Sequence, residues 1–394
     1  MSRIKVMSIF GTRPEAIKMA PVVKALEQDA RFESRVVATA QHREMLDQVM
    51  GLFEIVPDRD LGIMQANQTL TEITQRALGG LEQVFLEERP HIILVQGDTT
   101  TAFAATLAAF YQKVAVGHVE AGLRTDDIYN PFPEEMNRRL ISVLGDVHFP
   151  PTELSRKHLL ASGVKPQHIY LTGNTVIDAM QHILGAAQGA LPPALVETKN
   201  RVLLVETHRR ENLGRPMENV CKALKRLAEE FEDVEIAFSV HRNPKVREVV
   251  YGVLTDVPRV HLLEPMDYAS LVQLMKKSYF TLTDSGGIQE EAPSLGVPAL
   301  VLRTTTERPE GVDAGNARLV GTDEETVYEA AAQLLKDAAA YKRMSQAANP
   351  YGDGGAAQRI VQALAHHFGL TEERPAEFIP RAAAPNGAAH HVVA

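Results

Sequence analysis

Short runs rich in Val and Ile alternate with stretches of helical periodicity along almost the whole chain. In the first half the apolar runs are IKVMSIF (4–10), SRVVATA (34–40), HIILVQ (91–96), VAVGHVE (114–120) and DVHF (146–149). Between them apolar residues recur at helical spacing, as in TLTEITQRALGGLEQVFLEE (69–88). The same grammar resumes with RVLLVE (201–206), VEIAFSV (234–240), RVHLLE (259–264), FTLT (280–283) and VPALVL (297–302). Strand–helix alternation in both halves predicts an α/β protein of two doubly wound, Rossmann-like domains. The first domain is expected over 1–184 and the second over 201–370, with the last helix packing back on the N-terminal domain. The small, weakly patterned GAAQGALPPALVETKN (185–200) reads as their connector, and 371–394 as a mobile tail.

Polar residues are spread unevenly around these strands. Segments entering strands are ordinary, such as EERP before 91 and FED before 234. Segments leaving them carry functional groups: GTRPE, AQHRE, QGDTTT, EAGLRT, THRRE, VHRNP and TDSGGIQEE. Open parallel sheets bind ligands outside the carboxyl ends of their strands, so the two domains are expected to face a central cleft lined by these groups. Composition narrows the ligand. A net charge of −9 over 394 residues argues against a broad nucleic-acid surface, but leaves room for a local anion pocket. Cys221 is the single cysteine, which excludes an intrachain disulfide and a thiolate zinc cage. No apolar run has the length of a membrane span, and the N-terminal one is broken by Gly11 and Arg13, so no secretory leader is read and a cytoplasmic protein is expected.

Two segments point to a bound anion. In GTRPEAIKMAP a strand runs into a helix start beside Arg13 and Lys18, where free N–H groups and cations suit phosphate. In TDSGGIQEEAPSLG, Ser285 caps a helix while Gly286 and Gly287 let backbone approach an oxygen-rich ligand. Arg308 in TTERPE is placed to reach the same diphosphate, and Glu291 suits two ribose hydroxyls. Asp98, Glu120 and Glu134 are carboxylates just past strand ends, and Arg138 stands one helical turn from Glu134, where it would hold that carboxylate ionised. His208 lies between a strand end and Arg209–Arg210, in a field that suits a leaving phosphate, and His241 repeats the pattern one strand later. His118-Val119-Glu120 matches the H-x-E of zinc deaminases without the cysteine pair, so a metal held by His and carboxylates is the lesser reading. GDGGAA (352–357) matches a dinucleotide fingerprint in letters but follows no strand. No cofactor, nicotinamide or metal, is expected.

With these segments in hand, the chain resembles the non-hydrolysing UDP-N-acetylglucosamine 2-epimerases. The likeness runs from about residue 4 to 366 and includes AQHREMLDQV, GDTTT, GHVEAGLRT, PEEMNR, TGNTVIDA, HRRE and NPYGDG besides the segments above, in order and at the right spacing. The resemblance implies the glycosyltransferase B-type fold, a homodimer, and interconversion of UDP-N-acetylglucosamine and UDP-N-acetylmannosamine. It places Arg13, Lys18, Asp98, Glu120, His208, Ser285, Gly286, Gly287, Glu291 and Arg308 around the nucleotide sugar. Met266 and Leu271 fall near the uracil, where some relatives carry Gln and Phe. Asp98, Glu120, Glu134 and His208, with Arg138 in support, become the catalytic group. It further implies a regulatory nucleotide sugar at Gln41, Glu134, Arg209 and His241, with Asn67 standing where several relatives carry an arginine.

Carbon 2 of the sugar bears no acidic proton. Oxidation at carbon 3 would need a nicotinamide, whereas elimination of UDP across carbons 1 and 2 needs only donors for the diphosphate and carboxylates around the sugar. The resemblance implies this second route, through 2-acetamidoglucal, and the residue types agree with it. A hydrolysing epimerase, a UDP-sugar-dependent glycosyltransferase and a sensor without turnover are the competing readings.

Overall fold

The computed structural model describes residues 3–40, 43–65, 68–125 and 127–382. They divide into two compact units, Met1–His182 with Tyr351–Ile379, and Ile183–Pro350 with the segment from Pro380 onward. The first unit holds β1 (Ile4–Phe10), β2 (Phe32–Ala38), β3 (Arg59–Asp60), β4 (Ile92–Gln96), β5 (Ala115–Val119) and β6 (Val147–Phe149). They form one six-stranded sheet in the order β3-β2-β1-β4-β5-β6, every neighbouring pair parallel. The second unit holds β7 (Arg201–Thr207), β8 (Val234–Val240), β9 (Val260–Leu263), β10 (Ser278–Thr283), β11 (Ala299–Val301) and β12 (Ala317–Leu319). Its sheet runs β12-β11-β10-β7-β8-β9, also parallel throughout, and counted from its own first strand it repeats the order of the first. The fold is therefore α/β with two Rossmann-like units.

The reason lies in burial on both sheet faces. Consecutive residues of β4 (Ile92, Ile93, Leu94, Val95) and of β7 (Val202 to Val205) are fully buried, which requires helices above and below. In the first unit, Leu70–Glu88 and Thr100–Tyr111 cover Met7, Ile9, Ile93 and Val95. In the second, Arg215–Glu230 and Glu324–Lys336 pack over Leu203, Phe238, Phe280 and Leu300. The helix Leu70–Glu88 is bounded by its own sequence, because Thr69 accepts from the Glu72 amide at 3.2 Å while Glu72 accepts from the Thr69 amide at 2.7 Å.

The strands expected from the apolar runs are present. Of the four edge strands, β3 and β12 carry no apolar run of their own and were not legible. The segment 183–200 belongs to the second unit: Ala190 N–H donates to Ser270 Oγ (3.1 Å) and Leu195 is buried. The helix Ala356–His367 belongs to the first unit and packs on Arg13–Glu27. The chain beyond 371 departs from the mobile tail expected of it. Phe378 is buried with its N–H on Leu171 O, Arg374 lies over the Tyr170 ring, and Arg381–Ala382 pairs antiparallel with Ala348–Asn349. An apolar anchor in a polar stretch made the difference. Residues 383–394 lie outside the described residues.

In each sheet the strand order reverses once, between β1 and β4 in the first unit and between β7 and β10 in the second. Connections leave in opposite directions at these points, and the carboxyl ends there form a crevice. The segments leaving β1, β4, β7 and β10 are GTRPE, GDTTT, HRRE and DSGG.

Candidate active site

The crevice of the first unit is organised by a residue the sequence reading passed over. Glu15 is fully buried and accepts from the amides of Gly11 (3.0 Å) and Thr12 (2.8 Å) and from Thr99 Oγ1 (2.6 Å). It thereby caps the helix Arg13–Glu27 and ties the end of β1 to that of β4. Burial pushes its carboxyl up, against those hydrogen bonds. The spacing Thr12-x-x-Glu15 is the signal that would have found it. Arg13 is the first residue of this helix and is half-buried.

One turn further on, Lys18 forms an ion pair with Glu120 Oε1, with 11 % and 8 % of the two side chains exposed. Gln96 Nε2 donates to the other oxygen, and Asn174 Nδ2 donates to Oε1 at 2.9 Å. Glu120 follows β5 with φ +61°, a left-handed conformation that costs a branched or long side chain about 1–3 kcal/mol. The backbone thus turns sharply where the carboxylate is presented. Gln96 and Asn174 were not singled out from sequence, although Asn174 lies in TGNTVIDA.

Asp98 follows β4 and accepts from Arg138 NH2 at 2.6 Å, while its carbonyl accepts from Asn137 Nδ2 at 2.9 Å. Desolvation pushes its carboxyl up; Arg138 opposes this, and Glu120 and Glu134 add to it. Here the sequence expectation is corrected. Arg138 holds Asp98, and Glu135 at 3.4 Å, instead of Glu134. The helix Glu134–Leu144 begins at Glu134 itself, and it is the fully buried Glu135 that faces Arg138 and Arg139. Glu134 remains half-buried and near enough to act on Asp98 electrostatically. His118 is buried, with Nε2 on Gly97 O (2.7 Å), and burial lowers its pKa to about 3. It is a core histidine, which disposes of the H-x-E reading.

In the second unit the crevice is organised by Asp284, also missed from sequence. This buried carboxylate accepts from Thr207 Oγ1, from the amides of His208 (3.0 Å) and Arg209 (3.0 Å), and from Asn212 Nδ2 (2.7 Å). The turn after β7 is thereby fastened to the end of β10. His208 Nδ1 lies 2.9 Å from Glu206 Oε1 and 3.6 Å from Asp284 Oδ1. Its ring stacks on His241 with centroids 6.1 Å apart. The expected positive surroundings are therefore corrected: two carboxylates flank this ring, and Arg209 turns away to Asp284 O (3.0 Å) and Glu307 (2.8 Å). Among the described residues, Glu206, His208 and Asp284 form the one group whose ligand-type atoms lie within 4.8 Å of one another. Protein donors reach both Asp284 oxygens, Oδ2 taking Thr207, Arg209 and Asn212 and Oδ1 the His208 amide.

Ser285 occupies the N-cap position of the short helix Gly286–Glu291, though its hydroxyl makes no cap bond. Arg308 donates through Nε to Glu290 (2.7 Å) and through NH1 to Glu307 (2.8 Å). A β-carbon on Gly286 would stand 2.4 Å from Arg308 Cζ. The glycine is what lets a guanidinium cross the DSGG turn. Glu307 also receives Arg303 and Arg209; burial works against its charge, and Arg308, Arg209 and Arg303 together hold its carboxyl far below the usual range. Glu291 is buried and accepts at 2.8 Å from the hydroxyl of Tyr268, the first residue of the helix Tyr268–Lys277, which also carries the half-buried Leu271; Met266 lies just before that helix. Gly287 lies beside Glu291 Oε1. His241 is exposed. Gln41 and Asn67 lie outside the described residues.

Two Rossmann-like units, each with its functional groups gathered at the reversal of strand order, define a class of nucleotide-binding α/β proteins. Residues 24–365 match the family model described as UDP-N-acetylglucosamine 2-epimerase. The UDP-N-acetylglucosamine 2-epimerase of Bacillus subtilis (strain 168) is 53% identical over 379 residues, covering 96% of this chain and 99% of that one. A crystal structure of a putative UDP-N-acetylglucosamine 2-epimerase from Listeria monocytogenes has a TM-score of 0.91 at 53% identity, covering 96% and 100% of the two chains. The Neisseria meningitidis enzyme, solved bound to UDP-GlcNAc, has a TM-score of 0.85 at 47% identity, covering 92% and 99%. The chain belongs to the UDP-N-acetylglucosamine 2-epimerase family. No helix among its described residues is long and apolar enough to cross a membrane.

Proposed function

We propose that this protein interconverts UDP-N-acetylglucosamine and UDP-N-acetylmannosamine without net hydrolysis and without a cofactor. A carboxylate removes the proton at carbon 2, the bond between carbon 1 and the diphosphate oxygen breaks, and a carbon 1–carbon 2 double bond forms. The UDP oxygen then adds back to carbon 1 as carbon 2 takes a proton on the opposite face. The observation that carries this reading is the pair of differently held carboxylates in the first unit. Glu120 is matched to Lys18, whereas Asp98 is held at 2.6 Å by Arg138 while desolvation pushes its carboxyl up. Paired acids in unlike environments suit removal of one proton and delivery of another. Glu134 is the third member of this group. Arg308, Ser285, Gly286, Gly287 and His208 are assigned to the diphosphate, with Arg13 and Lys18 in support; Glu291 is assigned to the ribose, and Met266 and Leu271 to the surroundings of the uracil.

Turnover in heavy water tests this. Deuterium is expected at carbon 2 of both epimers, read by proton NMR, with no nicotinamide or metal added. Full retention of the original hydrogen excludes the elimination route, and release of free N-acetylmannosamine with UDP assigns the hydrolysing reaction. Started from UDP-N-acetylmannosamine alone, the same assay is expected to show a lag that a trace of UDP-N-acetylglucosamine removes. That lag follows if, as the family resemblance implies, Gln41, Glu134, Arg209 and His241 hold a regulatory nucleotide sugar.

We further infer a homodimer. In the first unit Phe110, Tyr111, Phe132 and Val143 are each more than half exposed, and a second copy is the partner inferred to cover them. Sedimentation is expected to give about twice the 43.3 kDa chain mass, and a species at the chain mass excludes it.

A further inference from the structure

β7 lies in the middle of its sheet, between β10 and β8, and Val202 to Val205 are fully buried. Glu206 interrupts this apolar run one residue before the strand ends. A carboxylate inside a central strand is costly unless its oxygens are used. Both are used: Oε1 lies 2.9 Å from His208 Nδ1, and Oε2 accepts from Thr283 Oγ1 at 3.4 Å. His208 is the first residue past the strand, and the turn that Asp284 fastens through the His208 amide brings the ring back over Glu206. The rest of the surroundings of His208 are fixed as well. Asp284 holds its amide, Arg209 is drawn off to Glu307, and His241 from the end of β8 stacks on its ring. His208 Nε2 makes no hydrogen bond to any described residue.

We propose that Glu206 is a positioning residue for the reaction: it accepts from Nδ1–H of His208, fixing the ring and favouring the doubly protonated imidazolium, whose Nε2–H is the donor toward the departing diphosphate. This rests on the diphosphate role given to His208 above. The charge arrangement supports it, since the Glu206 hydrogen bond and, to a lesser extent, Asp284 raise the His208 pKa against desolvation and Arg209. The protonated ring therefore persists to higher pH than an isolated imidazole.

The test uses the full chain with nitrogen-15-labelled histidine, in buffer containing a chelator. In the unsubstituted protein His208 is expected to titrate above an ordinary histidine and, once neutral, to carry its proton on Nδ1. Glu206→Gln is expected to lower that pKa by about one unit, the low end for losing an adjacent opposite charge, and Glu206→Asp to restore part of it. The basic limb of kcat/KM against pH is expected to move down with it, a loss of about 10-fold on that limb. An unchanged His208 titration in Glu206→Gln, or a neutral ring protonated on Nε2, overturns the proposal. A shifted titration with an unmoved pH profile also overturns it, by removing the link to the reaction. Absence of epimerisation in the unsubstituted protein would instead count against the proposed activity, and the titration still reads the pairing separately.

Discussion

Asp98→Asn is expected to lower turnover of UDP-N-acetylglucosamine by about 100-fold or more, the lower end for removal of an acid–base group. UDP affinity and melting temperature should change little. The physical case rests on the state of this carboxyl. Desolvation already disfavours its charge, so a neutral amide of the same size replaces it without burying anything new. Arg138 loses one partner but keeps Glu135, whose carboxylate lies 3.4 Å away. Activity should therefore fall while the fold stands, and kcat measured beside the UDP dissociation constant and a thermal melt separates the two. Glu120→Gln and Glu134→Gln are expected to lose at least as much turnover. Glu120→Gln should also melt earlier, because it takes a carboxylate from the nearly buried Lys18, and breaking such a pair costs about 3–5 kcal/mol. Near-normal turnover in all three would remove the acid–base assignment.

Gly286→Ala is expected to weaken UDP binding by about 10- to 100-fold, through a residue that carries no functional group. Arg308 is tied to Glu290 and Glu307, and in that position its Cζ and NH1 lie 2.4 Å and 2.5 Å from where the new β-carbon would stand. Something must shift, and the loop holding the guanidinium is the softer partner. Gly286 lies in a helix, where alanine is itself favourable, so the backbone pays nothing. A hydrogen bond to a charged group contributes about 1.5–3 kcal/mol net, which sets the range. Arg308→Ala should weaken UDP by a similar factor. The two changes remove one interaction, so the double variant should be no weaker than the poorer single one. Calorimetric titration of UDP into the three variants checks this, and normal binding by Gly286→Ala beside weak binding by Arg308→Ala would show that the guanidinium works from elsewhere.

These expectations draw on different levels of the molecule. Sequence alone determined that the chain alternates strand and helix, that its sheets are parallel and doubly covered, and that its chemistry leaves the strands at their carboxyl ends. Runs such as HIILVQ and RVLLVE carry that information locally, because apolar spacing reflects which faces are buried. The likeness of GTRPEAIKMAP, GHVEAGLRT and TDSGGIQEE to one family was legible too, and so was the Thr12–Glu15 cap in principle, since a cap lies within one helical turn. Partnership was not. Arg138 reads as the neighbour of Glu134 one turn away, yet it reaches Asp98, forty positions earlier. Lys18 meets Glu120 across 102 positions, and His208 lies between carboxylates instead of among arginines. Which charge meets which was decided by strand order, because the reversals between β1 and β4 and between β7 and β10 bring together ends that the chain keeps far apart. Buried charges then settle on whatever partner that order supplies, since an unpaired one would cost more than any local preference returns.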